Sequence, residues 1–522
     1  MKRFSNKYFA TLFFLGLVLS ASIILSSCLN IANGIKKTDN QSDENNSDVN
    51  KTSLSLNNVS SLFIINPTNK SKGEWENWVS VVGSRQAVEE AFKLSSPSPY
   101  VEHTLPYSFD RTLLKPSKSR SAARGAESVS EIDEISYKVG DTHTFNIIEG
   151  YDNYGNEIIV KRRGMMKYEG KYGYFWVLED EDEESLMTKD EIAVFAEKFD
   201  ELYEKETALC GPKYYGESIY ENIISPNKKV SILLFDIYED KDEGSLLGFF
   251  GPNDYLSDYE AGNKMELLCL DSYYAKKEET ASGFYSTLVH EFNHMLNFVN
   301  KDIKYDNEED METWYTEMLS MLVEDLFYND LNPDYENSIY TRLELFVNRG
   351  YVFGFKNWGN VFAEDEENDP QVFFNYSNAY AFGAFLGRNY GGAALFHEIA
   401  TNEYVNEKSI VEAVNKINNL NLTFEDLLKQ FCRILINPKG ENKEMPTLYK
   451  SVSSEVGKYS FTLNKLDLNN LAEDVEYKIT PIIPVFDGAL KFLDGYGFYY
   501  YAYTKPRNLK IKIENFLLCD YE

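Results

Sequence analysis

"STLVHEFNHMLNFVN" (Ser286–Asn300) sets two histidines four positions apart, with a glutamate beside the first. On an α-helix, side chains at i and i+4 project side by side, so His290 and His294 point at one shared spot. Glu291 sits one position round the same helix. Zinc prefers imidazole nitrogen and carboxylate oxygen, and a catalytic site takes three protein ligands and keeps a fourth position open. Leu288, Phe292, Met295, Leu296 and Phe298 surround the polar cluster with apolar contacts, as a buried active-site helix requires. With five histidines in 522 residues, an H-E-x-x-H run arises by chance in on the order of a few per thousand chains. Burying the three groups without metal or partners would cost roughly several kcal/mol. The stretch therefore predicts a metal site in which His290 and His294 are ligands and Glu291 polarises an attacking water.

The third ligand has to come from elsewhere. A histidine six residues after His294 would complete one known geometry, but that position is Asn300, and Asn297 replaces the glycine such a geometry carries. A glutamate from the following helix is the alternative, with Glu308, Glu309, Glu312, Glu317 and Glu324 as candidates. The first three lie in the acidic start "DNEEDMET", which the helix macrodipole already explains. Glu317 instead sits in "WYTEMLSMLVEDLFY", where Met318, Leu319, Met321, Leu322 and Val323 make the helix apolar nearly all round. A carboxylate there needs a strong partner, and a zinc ion suits it. Glu324, two turns on along the same face, is placed to orient a ligand. For a donor to the tetrahedral oxyanion, Tyr376 and Tyr380 are candidates, set against ordinary packing in a chain with 38 tyrosines. His397 reads as structural, and His103 and His143 as unrelated.

Outward from this helix the pattern changes twice. "KVSILLFDIYED" (Lys229–Asp240) and "KMELLCLDSYY" (Lys264–Tyr274) are near-continuous apolar runs of strand length, the mark of strands buried on both faces. Thr188 and Glu191 form a capping box ahead of the stripe Ile192, Phe195, Phe199, Leu202. Helical character then fills 283–300, 310–328, 377–389, 406–418 and 424–436. A sheet leading into a helical half is an α+β layout: residues 186–438 as the catalytic domain, a small β-unit at 135–185, a β-rich C-terminal module at 439–522, and 60–134 without a clear fold.

The N-terminus carries an address. "MKRFSNKYFATLFFLGLVLSASIILSSC" has a basic start, an apolar run and small residues before Cys28, a secretory signal over 1–27 that resembles a lipobox with Cys28 as the lipidated residue. Residues 28–59, rich in Asn, Ser, Asp and Lys, cannot bury enough apolar surface to offset ordering entropy and read as a flexible tether. The expected location is extracytoplasmic, anchored to the cell envelope or surface as a bacterial lipoprotein. The charge agrees: 83 acidic against 52 basic residues, net −31, argues against a nucleic-acid backbone or an anionic bilayer as the main partner. The basic stretch Lys115–Gly125 reads as an exposed linker. Cys210, Cys269, Cys432 and Cys519 are widely spaced and read as small buried hydrophobes rather than a disulfide framework.

In order, "YKVGDTHTFNI", "VSILLFDIYED", "GFFGPNDY", "MELLCLD", "TLVHEFNHMLNF", "WYTEMLSMLVEDL" and "YSNAYAFGAFLGRNYGG" resemble the hyicolysin family of neutral zinc metallopeptidases, over residues 137–392. The resemblance implies a zincin-like fold of gluzincin type, with His290, His294 and Glu317 holding one Zn2+ and Glu291 as catalytic base. Asn293 departs from the glutamine more usual there, at a non-ligand position. The expected function is a surface-anchored endopeptidase cutting protein or peptide substrates with a metal-activated water. The competing expectation is a non-catalytic surface lipoprotein that binds a host or envelope protein on the same scaffold; an intact Glu291 favours the enzyme. No G-x-S-x-G elbow, P-loop or strand-borne GxGxxG is present to support other chemistry.

Overall fold

The apolar run around Val230 forms β5 (Val230–Phe235), every residue of which is buried. It lies inside a six-stranded sheet with β2 (Thr142–Tyr151), β3 (Glu157–Glu169), β4 (Gly173–Leu178), β6 (Gly248–Phe250) and β7 (Leu267–Asp271), in the order β2-β3-β4-β5-β7-β6. The computed structural model describes residues 51–67, 107–117, 134–151, 157–213, 218–239, 246–276, 281–307, 309–348, 350–358, 371–471, 479, 493, 495–514 and 517–521. The expected signal peptide, Cys28 and most of the stretch read as a tether lie outside them.

β4, β5 and β7 run parallel. A parallel neighbour needs a crossover, which α1 (Lys189–Cys210) supplies between β4 and β5. α1 begins where the capping box predicts: the Thr188 hydroxyl accepts from the Glu191 amide, and the Glu191 carboxylate accepts from the Thr188 amide. The two sheet faces belong to two cores. Phe175, Val177, Ile232, Leu234, Leu268 and Leu270 join the main core with α1. Tyr174, Trp176, Leu233, Phe235, Leu267 and Cys269 join a smaller one on the opposite face. Burial on both faces is why these strands read as continuous apolar runs.

Two expected boundaries shift. Residues 135–185 contribute β2, β3 and β4 to the same sheet as β5 rather than a sheet of their own. The register Tyr174↔Ser231 to Val177↔Leu234 fuses them, a long-range parallel pairing that local periodicity does not display. β1 starts at Lys51, inside the stretch read as tether, and runs to Ile65. Its first residues are polar, but they pair with β10 (Phe498–Glu514), and its last five also pair with β11 (Leu517–Tyr521). Of the expected C-terminal strands, Tyr459–Leu463 (β9) pairs with β8 (Val452–Val456), while "VEYKITPIIPVF" lies almost wholly outside the described residues.

The helical half comprises α2 (Ala281–Asn297), α3 (Thr313–Leu331), α4 (Gln371–Tyr390), α5 (Gly392–Thr401), α6 (Asn406–Asn418) and α7 (Phe424–Cys432). α2 packs on α1 through Phe195–Phe284 and Phe199–Phe292, with ring centroids 5.1 and 5.6 Å apart. α3, apolar nearly all round in sequence, is buried between α2 and α4. A Cβ at Gly383 would come within 3.0 Å of Met318 Cγ, so glycine there lets α4 approach α3 closely. Behind α3, Arg388 clamps Asp325 with both terminal nitrogens at 2.7 and 3.1 Å, and both side chains are wholly buried. Among the described residues no helix is long and apolar enough to cross a membrane.

Candidate metal centre

α2 and α3 lie side by side, and their facing polar residues meet in one place. His290 Nε2 is 3.1 Å from Glu317 Oε2, and His294 Nε2 is 3.4 Å from Glu317 Oε1 without the alignment of a hydrogen bond. One ligand atom from each of His290, His294 and Glu317 falls within 4.8 Å of the others, the only such triad among the described residues. The remaining candidate glutamates are placed otherwise. Glu309 is exposed, Glu308 lies outside the described residues, and Glu312 accepts from the Trp314 indole and from Lys356.

The shell around the triad is built from the same two helices. Glu324 Oε1 lies 2.8 Å from His290 Nδ1, and its Oε2 accepts from the Ser286 hydroxyl at 2.8 Å. This fixes the ring so that Nε2 faces Glu317. For His294 the neighbour is weaker: Ser320 Oγ at 3.3 Å from Nδ1. Ser320 is itself held by Asn293 Oδ1, which also accepts from Asn297, while the Asn293 amide reaches Cys210 Sγ on α1. Asn293 is thus a bracket between three helices, as suits a non-ligand position.

Past Asn297 the α-helical ladder widens into a π-helical turn (Phe298–Ile303) that delivers Asp302 to the same side of the site. There Asp302 accepts from the Tyr107 hydroxyl at 3.0 Å and pairs with Arg111. The Tyr107 amide donates to Glu317 Oε1 at 2.8 Å, and its ring stacks on His294 at 5.4 Å. Tyr107, Arg111, Ser286, Ser320 and Asp302 were not expected at the site. Tyr107 is some two hundred positions from Glu317 and carries no motif that would announce it.

Electrostatically the site is tightly coupled. Burial disfavours a charged His290, but hydrogen bonds to Glu317 and Glu324 outweigh it and raise its pKa to about 10. Burial lowers His294. Glu317, despite burial, is held well below the usual carboxylate range by His294 and His290. Glu291 is pushed up to about 8, by burial first and the nearby Glu317 charge next. Both Glu291 oxygens and His294 Nε2 are buried without a well-aligned hydrogen bond, the Phe250 backbone amide being the polar group that approaches Glu291. Such poorly satisfied atoms are expensive unless something absent from the polypeptide satisfies them. Two imidazoles and a carboxylate converging on one point fit a divalent metal ion.

Of the tyrosines weighed as oxyanion donors, Tyr380 gives its hydroxyl to Asp325 Oδ2 at 3.1 Å. Tyr376 lies with its ring under the Arg342 guanidinium and edge-on to Trp358. His397 bonds the Leu209 carbonyl through Nδ1 at 2.9 Å, a packing role, and the half-buried His143 packs its ring edge-on against Phe145 and Trp176 of the smaller core. His103 lies outside the described residues.

An H-E-x-x-H helix whose imidazoles meet a carboxylate from the next helix defines the metallopeptidase class of site. The model of the Peptidase M30 family matches residues 159–500, well over half the sequence, and the chain belongs to that family. It is also similar to the neutral metalloprotease ShpI of Staphylococcus hyicus: 25% identity over 309 residues, covering 58% of this chain and 64% of that protein. The match thus spans a little under two thirds of that relative's length.

Proposed function

We propose that the protein is a zinc-dependent endopeptidase held outside the cytoplasm by a lipid on Cys28, its active site built on a zincin-like scaffold. The observation that carries the reading is the triad His290, His294 and Glu317 within 4.8 Å, with the buried Glu291 beside it and no side-chain partner holding its carboxylate. A purely structural metal site would need no such extra carboxylate. The family and the likeness to a metalloprotease support peptide-bond hydrolysis.

His290, His294 and Glu317 would hold the ion, and two imidazoles with one carboxylate favour zinc. Bound there, zinc supplies Lewis acidity toward a substrate carbonyl. Glu324 keeps His290 in the tautomer that presents Nε2. Glu291 takes the proton of the attacking water and hands it to the departing amine. The buried, water-poor setting strengthens each of these interactions.

The test uses the full chain loaded with zinc and an unfolded protein as substrate. Glu291→Gln should keep the metal and abolish cleavage. Cleavage by the variant at the wild-type rate would sink the role given to Glu291. Stoichiometric peptide binding by both forms, with cleavage by neither, would make the protein a binding lipoprotein instead.

A further inference from the structure

A peptide substrate must reach Glu291 and the three ligand atoms, yet His290, Glu291 and His294 are each 1% exposed and Glu317 0%. Among the described residues, the stretch Tyr107–Leu113 lies on that approach. Its Tyr107 amide is bonded to Glu317, and its Tyr107 ring is sandwiched between His294 and Phe250, with centroids 5.4 and 6.4 Å away. The stretch is fastened again beyond Tyr107. Arg111 pairs with Asp302 and donates to the Tyr220 hydroxyl at 2.9 Å and the Tyr305 carbonyl at 3.2 Å. Phe109 meets Phe298 edge-on at 4.9 Å. Phe250 belongs to β6, one of the two edge strands of the sheet, and edge strands offer unpaired backbone groups to an extended peptide.

We propose that Tyr107–Leu113 is a built-in occupant of the substrate cleft, so that the chain folds in a latent form and becomes active only when this strap is displaced. Displacing the strap leaves a pocket walled by His294, Phe250 and Asp302 that accepts the tyrosine side chain of a substrate. The inference rests on the peptidase reading for its consequence but on the Tyr107 and Arg111 contacts for its geometry. Tyr107 also precedes the region matched by the family, which begins at residue 159.

Arg111 anchors the strap through three contacts and is no part of the triad or of Glu291. Arg111→Ala, and independently Tyr107→Gly, which keeps the amide but empties the pocket, are compared with wild type in the full zinc-loaded chain. Two rates are read: hydrolysis of an unfolded protein, and loss of zinc to a strong chelator. Both variants should hold one equivalent of zinc, cleave at least about ten-fold faster, and release zinc at least about ten-fold faster. The synthetic peptide YSFDRTL should inhibit the variants, and its Tyr→Ala version should not. Faster zinc release without cleavage by any form would uphold the strap and refute the peptidase reading. Unchanged rates of both kinds would overturn the strap. So would slower cleavage with less than one equivalent of zinc, which would make Tyr107 a permanent support of Glu317.

Discussion

Glu324→Ala isolates what the partner of a ligand contributes. In the native site both Glu324 oxygens are engaged, one with His290 Nδ1 and one with Ser286, each at 2.8 Å. The carboxylate is 3% exposed, so the contact to the ring is poorly screened. Removing it leaves the Nδ1 proton without an acceptor and frees the ring to rotate away from Glu317. Loss of a carboxylate that orients a ligand histidine costs about 10- to 100-fold in metal affinity, or about 1.4–2.8 kcal/mol. The buried two-point contact places this case toward the upper end. Ser320→Ala is the internal comparison: its contact to His294 Nδ1 is 3.3 Å and neutral, so a loss of about five-fold or less is expected. The assay is competition for zinc against a chromophoric chelator near neutral pH, with circular dichroism to establish that both variants are folded. If folded Glu324→Ala binds zinc within about three-fold of wild type, or if Ser320→Ala loses more than Glu324→Ala, the orienting role assigned to Glu324 is wrong.

Three further expectations follow from other parts of the molecule. Asp325→Ala strands the Arg388 charge, itself 0% exposed, and should lower the unfolding free energy by about 3–5 kcal/mol in urea titration; a change below about 1 kcal/mol would show that the pair is not isolated from water. Tyr380→Phe removes one hydroxyl bond to Asp325, so it should cost about 1 kcal/mol of stability and leave turnover unchanged, whereas a hundred-fold fall in turnover would place that hydroxyl at the reacting carbonyl. Glu266 is pushed from 4.5 up to about 7 by burial, only partly offset by Lys213 at 2.7 Å. The folded chain therefore keeps a proton there that the unfolded chain has released, and this group's contribution to stability falls as pH rises from about 4.5 to about 7. The change is on the order of 3 kcal/mol. Glu266→Gln should flatten that slope by one proton in urea midpoints measured across the range, and an unaltered slope would count against it.

What sequence could disclose here was what depends on near neighbours. The i, i+4 spacing of His290 and His294, the capping box at Thr188 and the two-sided burial of β5 are local patterns, and each has its structural counterpart. Glu317 was legible because a carboxylate in an otherwise apolar helix is a conflict visible without coordinates. The break between α4 and α5 falls at Gly391 and Gly392, whose positive φ values (+137 and +60) only glycine adopts readily. The π-helical turn that delivers Asp302 has no compositional mark. Tyr107, β1 and the fusion of β4 to β5 all depend on pairing between distant segments, which residue periodicity does not encode.

The three-stranded sheet β10-β1-β11 carries a consequence for how the molecule is made. β1 is made early, yet its partner strands among the described residues, β10 and β11, begin only at Phe498. Those pairs cannot form until the residues from Phe498 onward are available. Closure across so long an interval is slow, and an idle strand is open to wrong partners in the meantime. A chain stopped short of Phe498 would leave β1 without these two partners, so a truncation at one end would show as a loosened strand at the other.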